Sequence, residues 1–270
     1  MKLALCQLDV TDNKASNLRR MREMLLRARD GGAQMAVLPE MFNIAYNPRL
    51  FAAAAEPCPG GESTQMLSET AKETGMFIVG GSVPELSDGR VYNTNMSFDS
   101  NGSLLGKYRK AHLFDIDVPG VFRFVESDTI TKGDTYPLIL DAPMKTGVAI
   151  CFDIRFPEWS RLMMQQGVDL IALPAAFSRS TGPRHWELLL RTRALDNQVF
   201  VAAVSPAQTS TVYGHSMLTS PDGAVLADCG EEECCRIVEL DPALLETMRH
   251  SIPVRSARRL DLYRLTPEQY

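Results

Sequence analysis

Three ionisable residues stand where apolar stretches of this chain end: Glu40 after MAVLP, Lys110 at the close of LLGKYRK and Cys151 after GVAI. A charge at the end of a buried strand requires a partner or a task, because desolvation penalises it. One at a time, each has a plain structural explanation. An inert cysteine packs like a small hydrophobe, a strand-end glutamate pairs with an arginine, and a lysine beside Lys107 and Arg109 is solvated on a hairpin. Together they form the set that attack on an amide carbonyl requires: a thiol nucleophile, a base for its proton and a cation for the developing oxyanion. Cys151 is followed by FDIRF and by Pro157 at the first turn of a helix, so peptide dipoles are expected to pull its pKa down. The competing arrangement uses His112, His185 or His215 as the base, although none has a local signature of the papain or caspase kind. His185 lies beside Trp186 in a predicted helix, where a packed structural role serves equally well.

The elements that must carry these residues follow from periodicity. MKLALCQLDV alternates apolar and polar positions as a half-buried strand does, with Thr11 or Asp12 to cap the helix that follows. Leu18, Met21, Leu25 and Ala28 recur at helical spacing until Gly31 and Gly32, and the strand MAVLP comes next. A second helix, Ser63 to Lys72, precedes FIVGGSV. Ser100, Asn101 and Gly102 predict a hairpin that delivers Lys110, and Pro221, Asp222 and Gly223 predict another. GVAIC and DLIALP read as strands covered on both faces. A helix from Pro157 to Gly167 separates them, and one bearing Trp186, Leu189, Leu190 and Ala194 follows. Crossover units mixed with hairpins imply mixed sheets with helices outside, an α+β or layered α/β fold. From Lys110 to Tyr136 neither period is sustained. That stretch, with His112, Asp115, Asp117, Pro119, Gly120 and Glu126, is expected to be a structureless active-site loop.

With 270 residues, 45% of them hydrophobic, the chain supports one globular domain with a large core. Its net charge of -5 is spread without a long run of either sign, which disfavours a nucleic-acid partner. The amino terminus lacks a secretory h-region, and no apolar run nears the roughly 18 residues of a membrane span, so a cytoplasmic protein is expected. The six cysteines are irregularly scattered and read as reduced thiols. Cys229, Cys234 and Cys235 lack the spacers and fourth ligand of a zinc site, so neither a metal nor another cofactor is expected.

LPEMF, KYRKAHLFD and GVAICFDIRFPE together resemble, in order and spacing, the glutamate, lysine and cysteine motifs of the nitrilase-like carbon–nitrogen hydrolases. The likeness runs from about Met1 to Tyr263. It implies a four-layer αββα sandwich, with residues 1–270 as a single hydrolase domain. It also implies Glu40 as general base, Cys151 as nucleophile, Lys110 as stabiliser of the tetrahedral intermediate and Glu126, in FVES, as a second glutamate that positions them. The Phe152 amide is implied to complete the oxyanion site, on a route through a cysteine thioester. KYRKAHLFDIDVPG, FVES, AFSRSTGPRHWELL and RALDNQVFVAAVSPA are similar to the omega-amidase branch, which acts on small 2-oxo dicarboxylic acid monoamides, 2-oxoglutaramate and 2-oxosuccinamate. The related amidase for deaminated glutathione is the nearest alternative, and a catalytically inactive binding or scaffold protein is the alternative from another class.

Arg155 matches a substrate-contacting position of that family, where a guanidinium would hold the free carboxylate through two parallel hydrogen bonds. An ion pair with Glu158 or Asp153 is the competing role. Tyr46, His112, Phe177 and Thr181 resemble other pocket-lining positions. Residues 250–270, with Arg255, Arg258 and Arg259, resemble a tail that contacts a second subunit, which implies a homodimer. The GEEE run and the Cys234–Cys235 pair match no catalytic feature and read as a turn and an edge strand.

Overall fold

The computed structural model describes residues 1–119 and 122–267. The chain opens with β1 (Lys2–Gln7), in which Leu3 and Leu5 turn to one side and Ala4 and Cys6 to the other, as strand geometry demands. Asn13, and not Thr11 or Asp12, caps α1 (Lys14–Asp30): its side chain accepts from the Ser16 N–H. Thr11 is occupied otherwise, its hydroxyl donating to the buried Asn17. There follow β2 (Met35–Val37), α2 (Pro48–Ala54), α3 (Glu62–Thr74), β3 (Phe77–Val79), β4 (Val83–Ser87), β5 (Arg90–Phe98) and β6 (Leu104–Arg109). Next come β7 (Asp115–Val118), β8 (Phe122–Val125), β9 (Leu138–Leu140), β10 (Thr146–Val148), α4 (Pro157–Gln165), β11 (Leu170–Pro174) and α5 (Gly182–Asn197). The last elements are β12 (Phe200–Val204), β13 (Met217–Thr219), β14 (Val225–Asp228), β15 (Cys234–Glu239) and α6 (Ala243–Ser251).

Two mixed sheets result. One runs β15-β1-β2-β3-β5-β4, with β6 also paired to β5 and with β1, β2 and β3 parallel. The other runs β14-β13-β12-β11-β10-β9, with β10, β11 and β12 parallel. Leu3, Leu5, Met35 and Val37 of the first sheet pack against Val148, Leu170, Ala172 and Val204 of the second, a dry interior between the sheets. Outside the first sheet, Met21, Leu25, Leu67 and Ala71 of α1 and α3 cover Ala4, Cys6, Ala36 and Ile78. Outside the second, Met163 of α4 and Trp186, Leu190 and Ala194 of α5 close the stack. The layers therefore run αββα, as the resemblance implied.

The stretch after Lys110 departs from expectation, because β7 and β8 pair there as an antiparallel ribbon and a single 3-10 turn follows at Glu126–Asp128. Four-residue strands are too short for alternation to declare them, and the ribbon is fastened by a side chain, Asp115 accepting from the Ser127 N–H at 2.9 Å. Gly120 lies outside the described residues. The tail after α6 is irregular, and Arg255 fixes it by donating to the carbonyls of Asn197 (3.1 Å) and Val168 (2.9 Å).

Candidate active site

Glu40 follows the buried end of β2, and its N–H points to the Ala175 carbonyl just beyond β11, so this glutamate straddles the two sheets. The turn there is tight. Met41 takes a left-handed φ of 53°, its N–H held by Ser82 Oγ at 3.1 Å. A Cβ on the neighbouring Gly81 would stand 2.2 Å from the Pro39 carbonyl oxygen, so only glycine admits this approach.

Lys110 emerges from the end of β6 with its N–H bonded to the Asn93 carbonyl of β5. Its ammonium is buried and donates to Glu40 Oε1 at 2.9 Å and to Glu126 Oε1 and Oε2 at 3.1 and 2.8 Å. Glu126 reaches the cluster from the 3-10 turn after β8, its Oε2 also taking the Phe114 N–H at 2.7 Å. Asn93 joins the two acids: its amide donates to Glu40 Oε1 at 2.7 Å and to Glu126 Oε1 at 3.3 Å. The other Glu40 oxygen accepts from the Ala176 N–H at 2.7 Å.

Cys151 sits at a sharp elbow. β10 and the extended Ala149 and Ile150 end at a left-handed cysteine, φ 45°, and a 3-10 turn, Cys151–Arg155, leads to Pro157 at the start of α4. A non-glycine residue holds such a backbone only where its surroundings enforce it. Asp153 supplies that enforcement. Its buried carboxylate accepts from the Ile150 N–H (2.9 Å), the Tyr108 hydroxyl (2.7 Å) and the His112 N–H (3.0 Å), so one side chain ties the elbow to both flanks of Lys110. Trp159 Nε1 completes the brace on the Tyr108 hydroxyl.

The electrostatics follow from this packing. Burial disfavours the Lys110 ammonium, but Glu126 and Glu40 outweigh it and hold its pKa well above the ordinary lysine range. Burial raises Glu40 above the usual carboxylate range, with Glu126 adding to the rise and Lys110 opposing it. The Cys151 thiol is pushed well up, first by burial and then by the Glu40 anion, against the pull of Lys110 and the Ala176 N–H. The expected depression of its pKa is thus reversed. A 3-10 turn, not the first turn of α4, begins at the sulfur, and burial beside a carboxylate outweighs the peptide dipoles. Burial and the Glu40 carboxylate together favour the protonated thiol.

No histidine is among the groups acting on Cys151. His112 is stacked on Phe156 with its Nδ1 on Asp153 at 2.7 Å, His185 faces Arg155, and His215 is paired with Asp228. The arrangement therefore has a carboxylate where the competing scheme placed an imidazole.

A cleft of about 390 Å³ is lined among others by Asp12, Tyr46, Phe114, Phe124, Ala176 and Thr211. It shares Phe114, Ala176 and Ser178 with a recess formed also by Cys151, Phe152, Arg155, Phe177 and Thr181. Tyr46 belongs to both the wall and the cluster, since burial and then the anions of Glu126 and Glu40 raise its phenol well above the usual range. Of the sequence-derived pocket residues, the recess gathers Phe152, Arg155, Phe177 and Thr181, while His112 stands behind Cys151 as part of the Asp153 brace.

Arg155 pairs with neither Glu158 nor Asp153. Nη2 donates to Thr181 Oγ1 at 3.4 Å, Nη1 stands 3.3 Å from His185 Nδ1, and Nε is buried without a partner. The guanidinium lies over the Phe177 ring at 4.9 Å, and burial lowers its pKa with no carboxylate to restore it. Arg155 and then Arg184 add to a burial effect that keeps His185 below the ordinary imidazole range, as suits an acceptor. Asn93, Asp153 and His185 thus enter the site without having been singled out for these roles. The YNTN run within a predicted strand was the one available signal for Asn93, because a buried amide on a strand needs partners.

The carbon-nitrogen hydrolase family profile matches residues 2–250. The chain is 46% identical over 266 residues to the omega-amidase NIT2 of Xenopus tropicalis, covering 97% of this chain and 96% of that protein. It is 44% identical over 266 residues to the omega-amidase NIT2 of Homo sapiens, with the same coverage. The crystal structure of Saccharomyces cerevisiae Nit3, a member of branch 10 of the nitrilase superfamily, superposes with a TM-score of 0.87 at 37% identity over 96% of each chain. With the αββα layering and the glutamate, lysine and cysteine brought to one place, these matches establish that the chain belongs to the carbon–nitrogen hydrolase family.

Proposed function

We propose that the protein is an amidase of the omega-amidase type, releasing ammonia from the terminal amide of small 2-oxo dicarboxylic acid monoamides such as 2-oxoglutaramate and 2-oxosuccinamate. The observation that carries this reading is the guanidinium of Arg155, free of any carboxylate, in the recess that also holds the Cys151 thiol. A substrate with an amide at one end and a carboxylate at the other spans these two groups, and the omega-amidase relatives supply the class.

Glu40 accepts the thiol proton as Cys151 Sγ bonds to the amide carbon. The carbonyl oxygen becomes an oxyanion beside the Lys110 ammonium and the Phe152 N–H. Collapse breaks the carbon–nitrogen bond, Glu40 returns the proton to the departing nitrogen, and ammonia leaves a Cys151 thioester. Water, deprotonated by the same carboxylate, adds to the thioester and expels the thiol. Glu126 and Asn93 hold Glu40 and Lys110 in place throughout, and no cofactor takes part. In this reading Tyr46, Phe177 and Thr181 line the substrate.

The decisive measurement is ammonia release from a panel of 2-oxoglutaramate, 2-oxosuccinamate, deaminated glutathione, an N-carbamoyl amino acid and a nitrile, with wild type and Cys151→Ala. The two 2-oxo monoamides should be the best substrates and the variant inert; equal rates for both proteins would remove the mechanism, and no ammonia from either with any substrate would favour a binding protein. The adjoining cleft, which shares Phe114, Ala176 and Ser178 with the recess, gives room for the longer acyl group of deaminated glutathione, the second reading. Arg155→Lys should raise KM for a monoamide roughly tenfold with little change in kcat, since the two-pronged contact is lost.

We further infer a cytoplasmic homodimer with residues 1–270 acting as one domain. Among the described residues no helix is long and apolar enough to cross a membrane. Ile252, Val254, Leu260, Leu262 and Tyr263 of the tail are exposed, and a second copy would cover them. Light scattering behind a sizing column should give twice the mass of one chain, and about half that for a protein truncated before Ile252.

A further inference from the structure

The adjacent cysteines of β15, which the catalytic apparatus leaves unused, face opposite ways because a strand alternates. Cys235 stands directly across from Cys6 of β1 in the antiparallel register. Both belong to the face beneath α1: Cys6 is inside the core there, and Cys235 packs against it with its Sγ toward the Met24 carbonyl at 3.9 Å. Cys234 turns to the other side, where its partner is Cys229 just past β14. Four of the six cysteines thus form two dithiols, and neither includes Cys151, which belongs to the core between the sheets.

Opposed residues of an antiparallel ladder have Cα atoms about 4.5 or about 5.5 Å apart, according to whether they exchange hydrogen bonds. Both values fall within the roughly 4.4–6.8 Å that a disulfide spans, and both side chains here leave the sheet on the same face. Cys6 and Cys235 are close enough to act on each other's titration, and the cation of Arg27 on α1 acts on both. Their accessibility differs. Cys6 is fully buried, whereas Cys235 is partly exposed at the sheet edge, so an oxidant reaches one thiol while the other waits beside it.

We propose that Cys235 and Cys6 are a hydroperoxide-reactive dithiol that closes to a disulfide and fastens β15 to β1. The Cys235 thiolate attacks the distal oxygen of a hydroperoxide, breaking the O–O bond; the alkoxide takes a proton and leaves as an alcohol, and Cys235 becomes a sulfenic acid. The Cys6 sulfur then bonds to the Cys235 sulfur and expels the sulfenic oxygen as water, with the Cys6 proton. One equivalent of hydroperoxide is reduced for one disulfide formed. Cys229 is the poorer candidate, because burial and then Cys234 push its pKa far above the ordinary thiol range.

The test uses the full chain carrying Cys151→Ala, so that the catalytic thiol does not consume oxidant. After stoichiometric tert-butyl hydroperoxide, free thiols are blocked with N-ethylmaleimide and the protein is digested with trypsin without reduction. Cys6 is the sole cysteine of peptide Leu3–Lys14, and Cys229, Cys234 and Cys235 share peptide Ala194–Arg236, so the proposed bond appears as a cross-link between the two. The cross-link should accumulate, disappear with dithiothreitol, persist when Cys234 or Cys229 is changed to Ala, and vanish in Cys235→Ser. Cys6 recovered as its maleimide adduct after oxidation, or a cross-link that survives Cys235→Ser, overturns the proposal.

Discussion

β6 and the residue after it set two ion clusters back to back. On one face Lys107 and Arg109 converge on Glu85; on the other, after Tyr108, Lys110 meets Glu40 and Glu126. The charge types are the same and the proportions are inverted. At Glu85 two cations and the Thr94 hydroxyl serve one buried carboxylate, and both cations reach solvent. At Lys110 two carboxylates share one ammonium, and none of the three is exposed. Excess cation, led by the Arg109 hydrogen bond acting against burial, takes Glu85 down to about 2. Burial and excess carboxylate leave Glu40 raised, as suits the proposed base. A single alternation of the strand thus separates a structural clamp from a reactive group.

The largest effect that would break this contrast is on rate. Lys110→Met should lower kcat/KM about 10³-fold by removing the oxyanion's cation, whereas Glu85→Gln should leave kcat/KM within about twofold of wild type. Comparable losses in the two variants would dissolve the distinction. Glu85→Gln should show itself in stability instead: it leaves two cations without their acid and costs about 3 kcal/mol, seen in calorimetry as a melting point lower by roughly 8 °C.

A smaller effect sharpens the account of the base. In the proposed mechanism Glu40 must be ionised to take the thiol proton, so kcat/KM should fall as pH drops through its raised pKa, a rise to which the neighbouring Glu126 contributes. Glu126→Gln should therefore move the acidic limb of the pH profile downward. A limb that stays put or moves upward assigns the limb to another group. The smallest effect is on the clamp. Because the folded-state pKa of Glu85 is depressed from 4.5 to about 2, its stabilisation is complete above pH 4.5 and is lost as pH falls through about 2. The stability gap between wild type and Glu85→Gln should close over that window in denaturant titrations.

What could be read from the residues alone follows the same division. Glu40, Lys110 and Cys151 announced themselves because ionisable groups at the ends of apolar strands conflict with burial, whereas the plain reading of Lys110 grouped it with Lys107 and Arg109 on a solvated hairpin and missed that it faces the buried side. The hairpins at Asn101–Gly102 and Asp222–Gly223 were legible because their turn chemistry is local. Asp153 was not legible as the brace it is, since its partners Tyr108 and His112 lie more than forty positions away and nothing local marks them. The direction of the Cys151 pKa was misjudged for a related reason: burial is a property of the assembled sheets, while the dipole argument used only the next few residues.

The segment beyond β11 carries two duties at once. The Ala176 N–H fixes the second oxygen of Glu40, and the very next residue, Phe177, forms the wall against which Arg155 rests. Any remodelling of that wall to admit a different acyl group must therefore shift the backbone that orients Glu40. Selectivity and turnover in this chain are mechanically linked, and changes of substrate should come more readily from residues at the cleft mouth, such as Asp12 or Thr211, than from the segment that follows β11.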